Sequence, residues 1–295
     1  MKIATITIFC NETFRIDNWL TYYSSYKNEI SIHIIVNNGD TNDTKILKKK
    51  FPNSIVLYSP TTNMLAAYNM GYKEALKHKE IDAIAQITND IKLSNNAFTY
   101  LYKELFKNDS IGAISPVLFN KDSNIINSYG ADIDFSTMSF NCLYMGKLVN
   151  EVPNFIECTA LPGGIFLVKR KVLEQIGFHD ERIMMYADET DFGYKMNLLG
   201  YKQAATISVS AWHQHIFQPG KNIRNPMAAY YCGRNPIYLA KKYLSSKFVI
   251  KTTLHRIRIG SSSLLKCILF FKSKDDFKYS FFYFKGILAG IFMNK

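Results

Sequence analysis

The chain has 295 residues, 47% hydrophobic and 14% aromatic against 20% charged, with a formal net charge of +12. This excludes disorder, which needs few apolar residues and dense charge, and the length allows one large domain or two fused halves. Five cysteines at irregular spacing, with no Cys-x-x-Cys, argue against a disulfide framework or a structural zinc site and for a reducing compartment.

Taken in chain order, Ile3–Phe9 alternates apolar residues with Thr and stops at Asn11-Glu12. It is too short and too polar for a secretory signal and predicts a buried strand. Residues 16–26 have helical spacing. Residues 32–36 predict a second buried strand, ending at Asn37-Asn38-Gly39-Asp40. Residues 41–51 read as a helix, 54–58 as a strand and 65–78 as a helix with Ala and Leu on one face. A fourth strand, 81–87, ends at Thr88-Asn89-Asp90; a helix at 96–106 and a strand at 111–115 follow. Strands alternating with helices of about 10–15 residues predict an α/β fold, a mostly parallel Rossmann-like sheet with helices on both faces. Such sheets bind ligands beyond the carboxyl ends of their strands, where the clusters at 37–40 and 88–90 fall.

From Pro116 to about residue 157 the pattern loosens into hairpins and loops. Pro162-Gly163-Gly164 is a loop feeding a buried strand that ends at Val168. Residues 170–176 and 189–199 are helices stopped by Gly177 and Gly200. Residues 205–212 predict a strand running into His213, and after Pro219-Gly220 the sequence is helical and basic. No internal repeat is visible, and no run reaches the roughly 18 apolar residues of a membrane span.

Three clusters can carry chemistry. Asp90, at a strand end, could hold a hard divalent cation that also takes phosphate oxygens, though Asn-Asp is equally good turn chemistry. Asp188-Glu189-Thr190-Asp191 opens a helix, where acids are ordinary capping and dipole partners. Three carboxylates in four residues nevertheless repel one another, which is costly unless a cation or an unusual pKa is wanted. In Trp212-His213-Gln214-His215 the two imidazoles share a face only if the strand continues through Gln214, so they are not read as a metal pair.

The order of these motifs resembles that of the family-2 glycosyltransferases with the GT-A fold, over about residues 3–240. Val36-Asn37-Asn38-Gly39-Asp40 resembles the family's Val-Asp-Asn-Gly-Ser strand end. Asn63 with Asn69-x-Gly71 resembles its Asn-rich helix start, and Thr88-Asn89-Asp90 its Asp-x-Asp-like metal motif. Pro162-Gly163-Gly164, Gly177-Phe178-His179-Asp180-Glu181 and Asp188-Glu189-Thr190-Asp191 look like its Gly-Gly loop, Gly-Phe-Asp-Glu segment and Glu-Asp-x-Asp motif. Trp212-His213 and Tyr230-Tyr231-x-x-Arg234-Asn235 are similar to signatures of its rhamnosyl- and galactofuranosyltransferase-like members.

The resemblance implies a GT-A catalytic domain at 1–215, with a nucleotide-binding half at 1–115 and an acceptor half at 116–215, followed by a basic helical extension at 216–295. It implies an enzyme that transfers a sugar from a nucleotide-diphosphate donor to a glycan or lipid-linked glycan acceptor, with inversion, using Mn2+ or Mg2+. Rhamnose or galactofuranose is slightly favoured, and a bacterial surface polysaccharide is the expected product. Asp90 and His213 would be the metal ligands, and Glu189 the base, flanked by Asp188 and Asp191, whose charges would raise its pKa. Phe9, Asn11, Asn37, Asn38, Asn63 and Asn89 would line the donor site, and Arg234 would face a diphosphate or an acceptor phosphate. Three departures stand out: Asn37 replaces the family's base-reading Asp, Thr88 and Asn89 leave the metal motif one acid, and Glu189 is a methylene longer than the usual Asp.

The tail concentrates the charge. Residues 216–295 carry 15 Lys+Arg against 2 Asp+Glu, and residues 1–215 carry 21 against 22. If 271–292 is helical, Phe277, Phe281, Phe284 and Leu288 form a stripe bordered by Lys274, Lys278 and Lys285, the layout of a helix lying in an anionic membrane interface. Gly286 and Gly290 weaken the helix, and packing on the catalytic domain or on a second copy is the open alternative. The expected location is cytoplasmic, peripheral on the inner face of the membrane. A catalytically inactive sugar- or nucleotide-binding relative is the alternative function. A nucleic-acid-binding role is disfavoured, because the basic residues avoid the strand-end clusters and no nucleic-acid motif is present.

Overall fold

The computed structural model describes residues 1–214, 225–270 and 273–294; His215 and Pro219-Gly220 lie outside the described residues. The chain divides into two compact units. The first comprises Met1–Asp132, Cys142–Met184 and Phe192–Ile216, and the second Ile133–Asn141, Met185–Asp191 and Phe217–Lys295. The boundary near 215 expected from the motifs therefore has two additions to the tail. A hairpin tip and the loop that opens the acidic helix both cluster with it.

The first unit is built on a ten-stranded sheet. Its N-terminal strands are β1 (Ile3–Phe9), β2 (Ile32–Asn37), β3 (Ile55–Tyr58) and β4 (Ala83–Ile87), in the order β4-β1-β2-β3 and all parallel. Helices α1 (Ile16–Ser24), α2 (Thr41–Lys50) and α3 (Met64–Lys77) make the crossovers. After β5 (Ile91–Leu93) and α4 (Ala97–Lys107), β6 (Ile111–Asn120) leads into the short strands β7 (Ile126–Ser128), β8 (Ala131–Asp134), β9 (Ser139–Cys142) and β10 (Phe155–Cys158). Then β11 (Ile165–Lys169) enters antiparallel between β4 and β6, so the far half of the sheet is mixed. Helices α5 (Arg170–Ile176) and α6 (Asp188–Leu198) precede the long β12 (Lys202–His213).

Period-two alternation makes the two layers. On β4, Ile84 faces Tyr68 and Tyr72 of α3, whereas Ala83, Ala85 and Ile87 face Phe98, Leu101 and Leu105 of α4. Each fully buried Ile, Leu or Phe among these stabilises the fold by about 1.5–3 kcal/mol. Asp40 caps α2, its Oδ1 accepting from Asn42 N at 2.8 Å. Gly177 and Gly200 end α5 and α6 with φ of 72° and 78°, as their sequence positions predict.

Strand β6 runs five residues past its expected end, straight through Pro116. Pro116 pairs with Thr206 of β12, where the register shifts before Ser210. A bulge tolerates a residue that has no N–H to donate, so the proline does not stop the strand.

The second unit holds α7 (Pro226–Tyr243), α8 (Ser246–Leu269) and α9 (Lys274–Phe292). Helices α7 and α9 touch backbone to backbone. A Cβ on Gly286 would overlap the Tyr230 carbonyl, and one on Gly290 would sit 2.7 Å from the Arg234 carbonyl. The two glycines that weaken α9 in isolation are thus what lets it dock. Tyr283 and Ile287 are buried against Ala229 and Ile237 of α7. The opposite side is bare: Phe281, Leu288 and Phe292 are 67%, 57% and 78% exposed. Of the expected aromatic stripe, Phe281 and Leu288 face outward while Phe284 is partly covered beside Gly260. Among the described residues no helix is long and apolar enough to cross a membrane.

Gly286→Ala tests this crossing. Alanine in a free helix would add about 1 kcal/mol of stability. Overpacking against the α7 backbone should instead cost about 1–3 kcal/mol net in urea unfolding. A more stable variant would show that the helices do not meet there.

Candidate active site

At the carboxyl end of β4, Asp90 is almost buried and highly coordinated. Thr88 Oγ1 donates to its Oδ1 at 2.7 Å, and Arg15 Nη1 donates to its Oδ2 at 3.4 Å. His213 Nε2 lies 3.2 Å from the same Oδ2. The approach is built by strand pairing: His213 is in register with Ile91 across β12 and β5, and Gln214 N donates to the Asp90 carbonyl at 2.8 Å. Asn89 donates to Glu12 Oε2 at 2.7 Å and to the Ile8 carbonyl at 3.2 Å, which ties the β1 and β4 ends together. A cavity of about 350 Å³ opens here, with Asp90, Arg15, Lys121, Tyr22 and Phe14 in its wall. Two cations and one carboxylate suit a phosphate-bearing ligand with its counterion.

The donor set also suits a divalent ion. Two adjacent ligands at about 2.1 Å from an octahedral cation stand about 3 Å apart, close to the observed Asp90–His213 separation. Imidazole with carboxylate favours Mn2+ over an all-oxygen shell. Among the described residues no group of three His, Cys, Asp or Glu forms a complete metal site. Asp90 and His213 would thus supply two ligands, with phosphate oxygens and water suited to the remaining positions.

The other predicted donor-site residues are largely turned inward. Phe9 is 1% exposed and packs edge-on against Trp19 at 5.3 Å. Asn37 is fully buried; its Nδ2 donates to the Asp40 carbonyl at 2.6 Å and to Thr44 Oγ1 at 2.9 Å, and its Oδ1 accepts from Gly39 N at 3.0 Å. Asn38 is buried beside it and donates its N–H to the Phe9 carbonyl at 3.0 Å. Asn11 is exposed in a left-handed conformation (φ 56°) and accepts from Asp40 N at 2.8 Å. Asn63 caps α3 and donates to the Glu181 carbonyl at 2.8 Å. Asn69 exchanges hydrogen bonds with the His179 backbone at 2.9 Å, which explains why the Asn-rich and Gly-Phe-His-Asp-Glu segments occur together.

The acidic cluster lies in the second unit. Residues Tyr186 and Ala187 have left-handed φ of 58° and 68° immediately before α6. Asn235 Nδ2 donates to the Met185 and Tyr186 carbonyls at 2.8 and 2.6 Å, and Arg234 Nε donates to Asn235 Oδ1 at 2.8 Å. The Arg234 guanidinium stacks 4.6 Å from the centre of the Tyr231 ring. Arg234, expected at a phosphate, is thus buried and orients the loop clamp.

The three acids have separate fates. Asp191 is fully buried and accepts from Lys242 Nζ at 3.0 Å and from the Tyr243 hydroxyl at 2.6 Å. Asp188 is buried; desolvation first, then the charge of Glu189, pushes its carboxyl well above the usual carboxylate range. The mutual repulsion that the sequence expected to raise Glu189 thus acts on Asp188, with burial as the larger cause. Glu189 is half-buried and lines a cavity.

No protein-family model matches the chain. In sequence it is similar to the O-antigen chain rhamnosyltransferase WbaN of Salmonella anatum, 23% identical over 212 residues, covering 70% of this chain and 64% of that protein. The chain therefore spans less than two thirds of that curated relative. Among solved structures it is similar to GalNAc-T7, crystallised with UDP, GalNAc and Mn2+, with a TM-score of 0.64 at 11% identity over 88% of this chain and 51% of that one. It is also similar to the mannosyltransferase PcManGT of Pyrobaculum calidifontis in complex with GDP-Man and Mn2+, with a TM-score of 0.57 at 11% identity over 99% and 88% of the two chains. The fold is GT-A. The GT-A architecture expected from the motif order holds, and so does the resemblance to family-2 glycosyltransferases.

Sequence reading missed Arg15, Lys121 and Glu12 beside Asp90, and Lys242 and Tyr243 on Asp191. Arg15 had a usable signal, since it closes the short Thr13–Arg15 turn that leaves the β1 end. The Lys242 and Tyr243 contacts join residues about fifty apart and left no local trace.

A pH-stability comparison tests Asp188. A carboxyl whose folded pKa exceeds its unfolded value binds its proton more tightly when folded. Its contribution is fully present below the unfolded value, about 4, and declines as pH rises towards the folded pKa. Asp188→Asn should therefore melt close to wild type near pH 4 and progressively higher than wild type as pH rises to 8. Parallel melting curves across that range would refute the assignment.

Proposed function

We propose that the protein is an inverting, metal-dependent glycosyltransferase that moves a sugar from a nucleotide-diphosphate donor to a hydroxyl of a surface-polysaccharide acceptor. The observation that carries this is the Asp90–His213 pair, 3.2 Å apart at the strand ends of a GT-A sheet, beside a cavity with Arg15 and Lys121 in its wall. The rhamnosyltransferase relative supports rhamnose over galactofuranose as the sugar. The Mn2+ in both structural neighbours supports a divalent metal.

Each residue then has a role. Asp90 and His213 hold the cation, which when bound supplies Lewis-acid stabilisation of the departing diphosphate. Arg15 and Lys121 pair with phosphate oxygens. Glu189 accepts the proton of the acceptor hydroxyl, and Asp188, whose carboxyl is held well above the usual range, hydrogen-bonds to it and orients it. The bare apolar side of α9, with Phe281 and Leu288 beside Lys278 and Lys285, supports a peripheral seat on an anionic membrane surface.

The test separates binding from chemistry. With Mn2+ and a panel of nucleoside diphosphate sugars, one donor should raise the melting temperature in a metal-dependent way. Glu189→Gln should keep that shift and lose sugar transfer by about 10²–10⁴-fold, whereas Asp90→Asn should lose the shift itself. Full transfer by Glu189→Gln would remove it as the base.

A further inference from the structure

The two oxygens of Asp90 are used differently. Thr88 Oγ1 donates to Oδ1 at 2.7 Å, whereas His213 Nε2 at 3.2 Å and Arg15 Nη1 at 3.4 Å both address Oδ2. Arg15 is held there from behind. It closes the Thr13–Arg15 turn that leaves β1. Its Nε lies 3.3 Å from Glu12 Oε1, and Glu12 Oε2 accepts from Asn89 Nδ2 at 2.7 Å. Its guanidinium carbon lies 5.5 Å from the centre of the Phe14 ring. The sequence Asn89–Glu12–Arg15–Asp90 is therefore a closed chain of contacts that starts and finishes at one strand end. It aims the guanidinium at the carboxylate, with the Arg15 side chain only 25% exposed.

A divalent ion seated between Asp90 Oδ2 and His213 Nε2 would share its oxygen with this guanidinium. Like charges drawn to one acceptor oppose each other, and Asp90 is almost buried, so water and salt screen the repulsion little. The opposition falls when Arg15 leaves Oδ2. The cavity of about 350 Å³ gives it somewhere to turn, since Arg15 and Lys121 both line that wall. A diphosphate there would engage the guanidinium fork through two parallel hydrogen bonds, a stronger pairing than one contact at 3.4 Å. Anion binding thereby clears the oxygen that the ion needs.

We propose that Arg15 couples the two ligands: it weakens the hold of Asp90 on a divalent ion until a diphosphate draws the guanidinium away, so that ion and diphosphate enter together. The neutral Thr88 and Asn89 fit this arrangement. A site with one carboxylate depends on phosphate oxygens to complete the shell, and a competing cation on that carboxylate enforces the dependence. By linkage the effect is reciprocal: an ion on Asp90 frees Arg15 for phosphate. Coupling of this kind is typically about 5–150-fold. Arg15 acts here as a positioning residue, through Asp90. The coupling rests on Asp90 and His213 being the ion's ligands, as in the transferase reading, but on no step of sugar transfer.

The full chain is titrated with Mn2+ alone, read from the electron paramagnetic resonance signal of the free ion, and separately with inorganic pyrophosphate alone, read by calorimetry. Arg15→Met should bind Mn2+ about fivefold tighter or more, and pyrophosphate about fivefold weaker or more. Arg15→Gln, which keeps an N–H donor on the turn, should move both constants in the same directions and guards against a packing effect of the apolar side chain. Lys121→Met removes an equal charge elsewhere in the wall; it should weaken pyrophosphate but leave Mn2+ within about twofold of wild type. Asp90→Asn should abolish Mn2+ binding in every background. If it does so while both Arg15 variants bind Mn2+ like wild type, or while Lys121→Met tightens Mn2+ as much as they do, the coupling alone is overturned. Mn2+ binding that survives Asp90→Asn, or that no variant shows, would overturn the ion site and the coupling with it.

Discussion

The geometry of the acidic cluster depends on one buried amide. Asn235 has no solvent exposure and satisfies both carbonyls of a loop that otherwise has little reason to hold its shape. Met184, Tyr186 and Ala187 are all left-handed, and each such non-glycine residue costs of order 1 kcal/mol. The conformation persists because alternative backbone angles would strip the Met185 and Tyr186 carbonyls of their donor inside the protein. Arg234 fixes the amide in turn, by donating to its oxygen while stacking on Tyr231. The Tyr-Tyr-x-x-Arg-Asn segment is therefore a clamp on the turn that launches α6, and the first turn of α6 carries the acids.

Three carboxylates within one helical turn pose an electrostatic problem that the fold solves differently at each position. Asp191 is neutralised by Lys242 and the Tyr243 hydroxyl; breaking such a buried pair from one side usually costs about 3–5 kcal/mol. Asp188 resists ionising, since burial penalises its anion first and the neighbouring charge second. What remains is Glu189, on the accessible side of the turn, with a cavity before it. Of the three, Glu189 is the one whose carboxyl a ligand in that cavity can reach, since Asp188 and Asp191 are buried.

Much of this architecture was legible in the residues. Strand–helix alternation over Ile3–Phe9, 32–36 and 81–87 fixes a two-faced sheet, because burial on both faces demands continuous apolar runs. The strand-end rule singled out the cluster at 88–90, whereas His213 as its partner came only from the resemblance; the two side chains lie 3.2 Å apart. What the pattern could not show was direction. The resemblance puts Phe9 and Asn37 in the donor site, yet Phe9 faces Trp19 and Asn37 spends its hydrogen-bonding groups on its own loop. A strand end fixes position along the chain but not the face a side chain takes once the loop closes. The second unit was harder still, for its glycines look like helix breakers until a partner backbone occupies the space they leave.

The basic excess of the tail likewise divides once contacts are known. Lys241 donates to the Ile291 carbonyl at 2.7 Å and so satisfies the end of α9, where a cation also meets the negative pole of the helix. Lys242 serves Asp191, Lys251 donates to Ser136 Oγ at 2.7 Å, and Arg234 is committed to the loop clamp. These four would count towards attraction to an anionic surface in any sum over the sequence, yet their charge is engaged inside the unit. Among the described residues Lys247, Arg258, Lys266, Lys274, Lys278 and Lys285 are exposed and leave their charge to the solvent side. Arg256 belongs to neither group: half-buried, held among the described residues by neutral acceptors and set in an apolar wall. A guanidinium in that setting is stabilised little by its neighbours and much by an arriving anion, because the desolvation cost has already been met by folding.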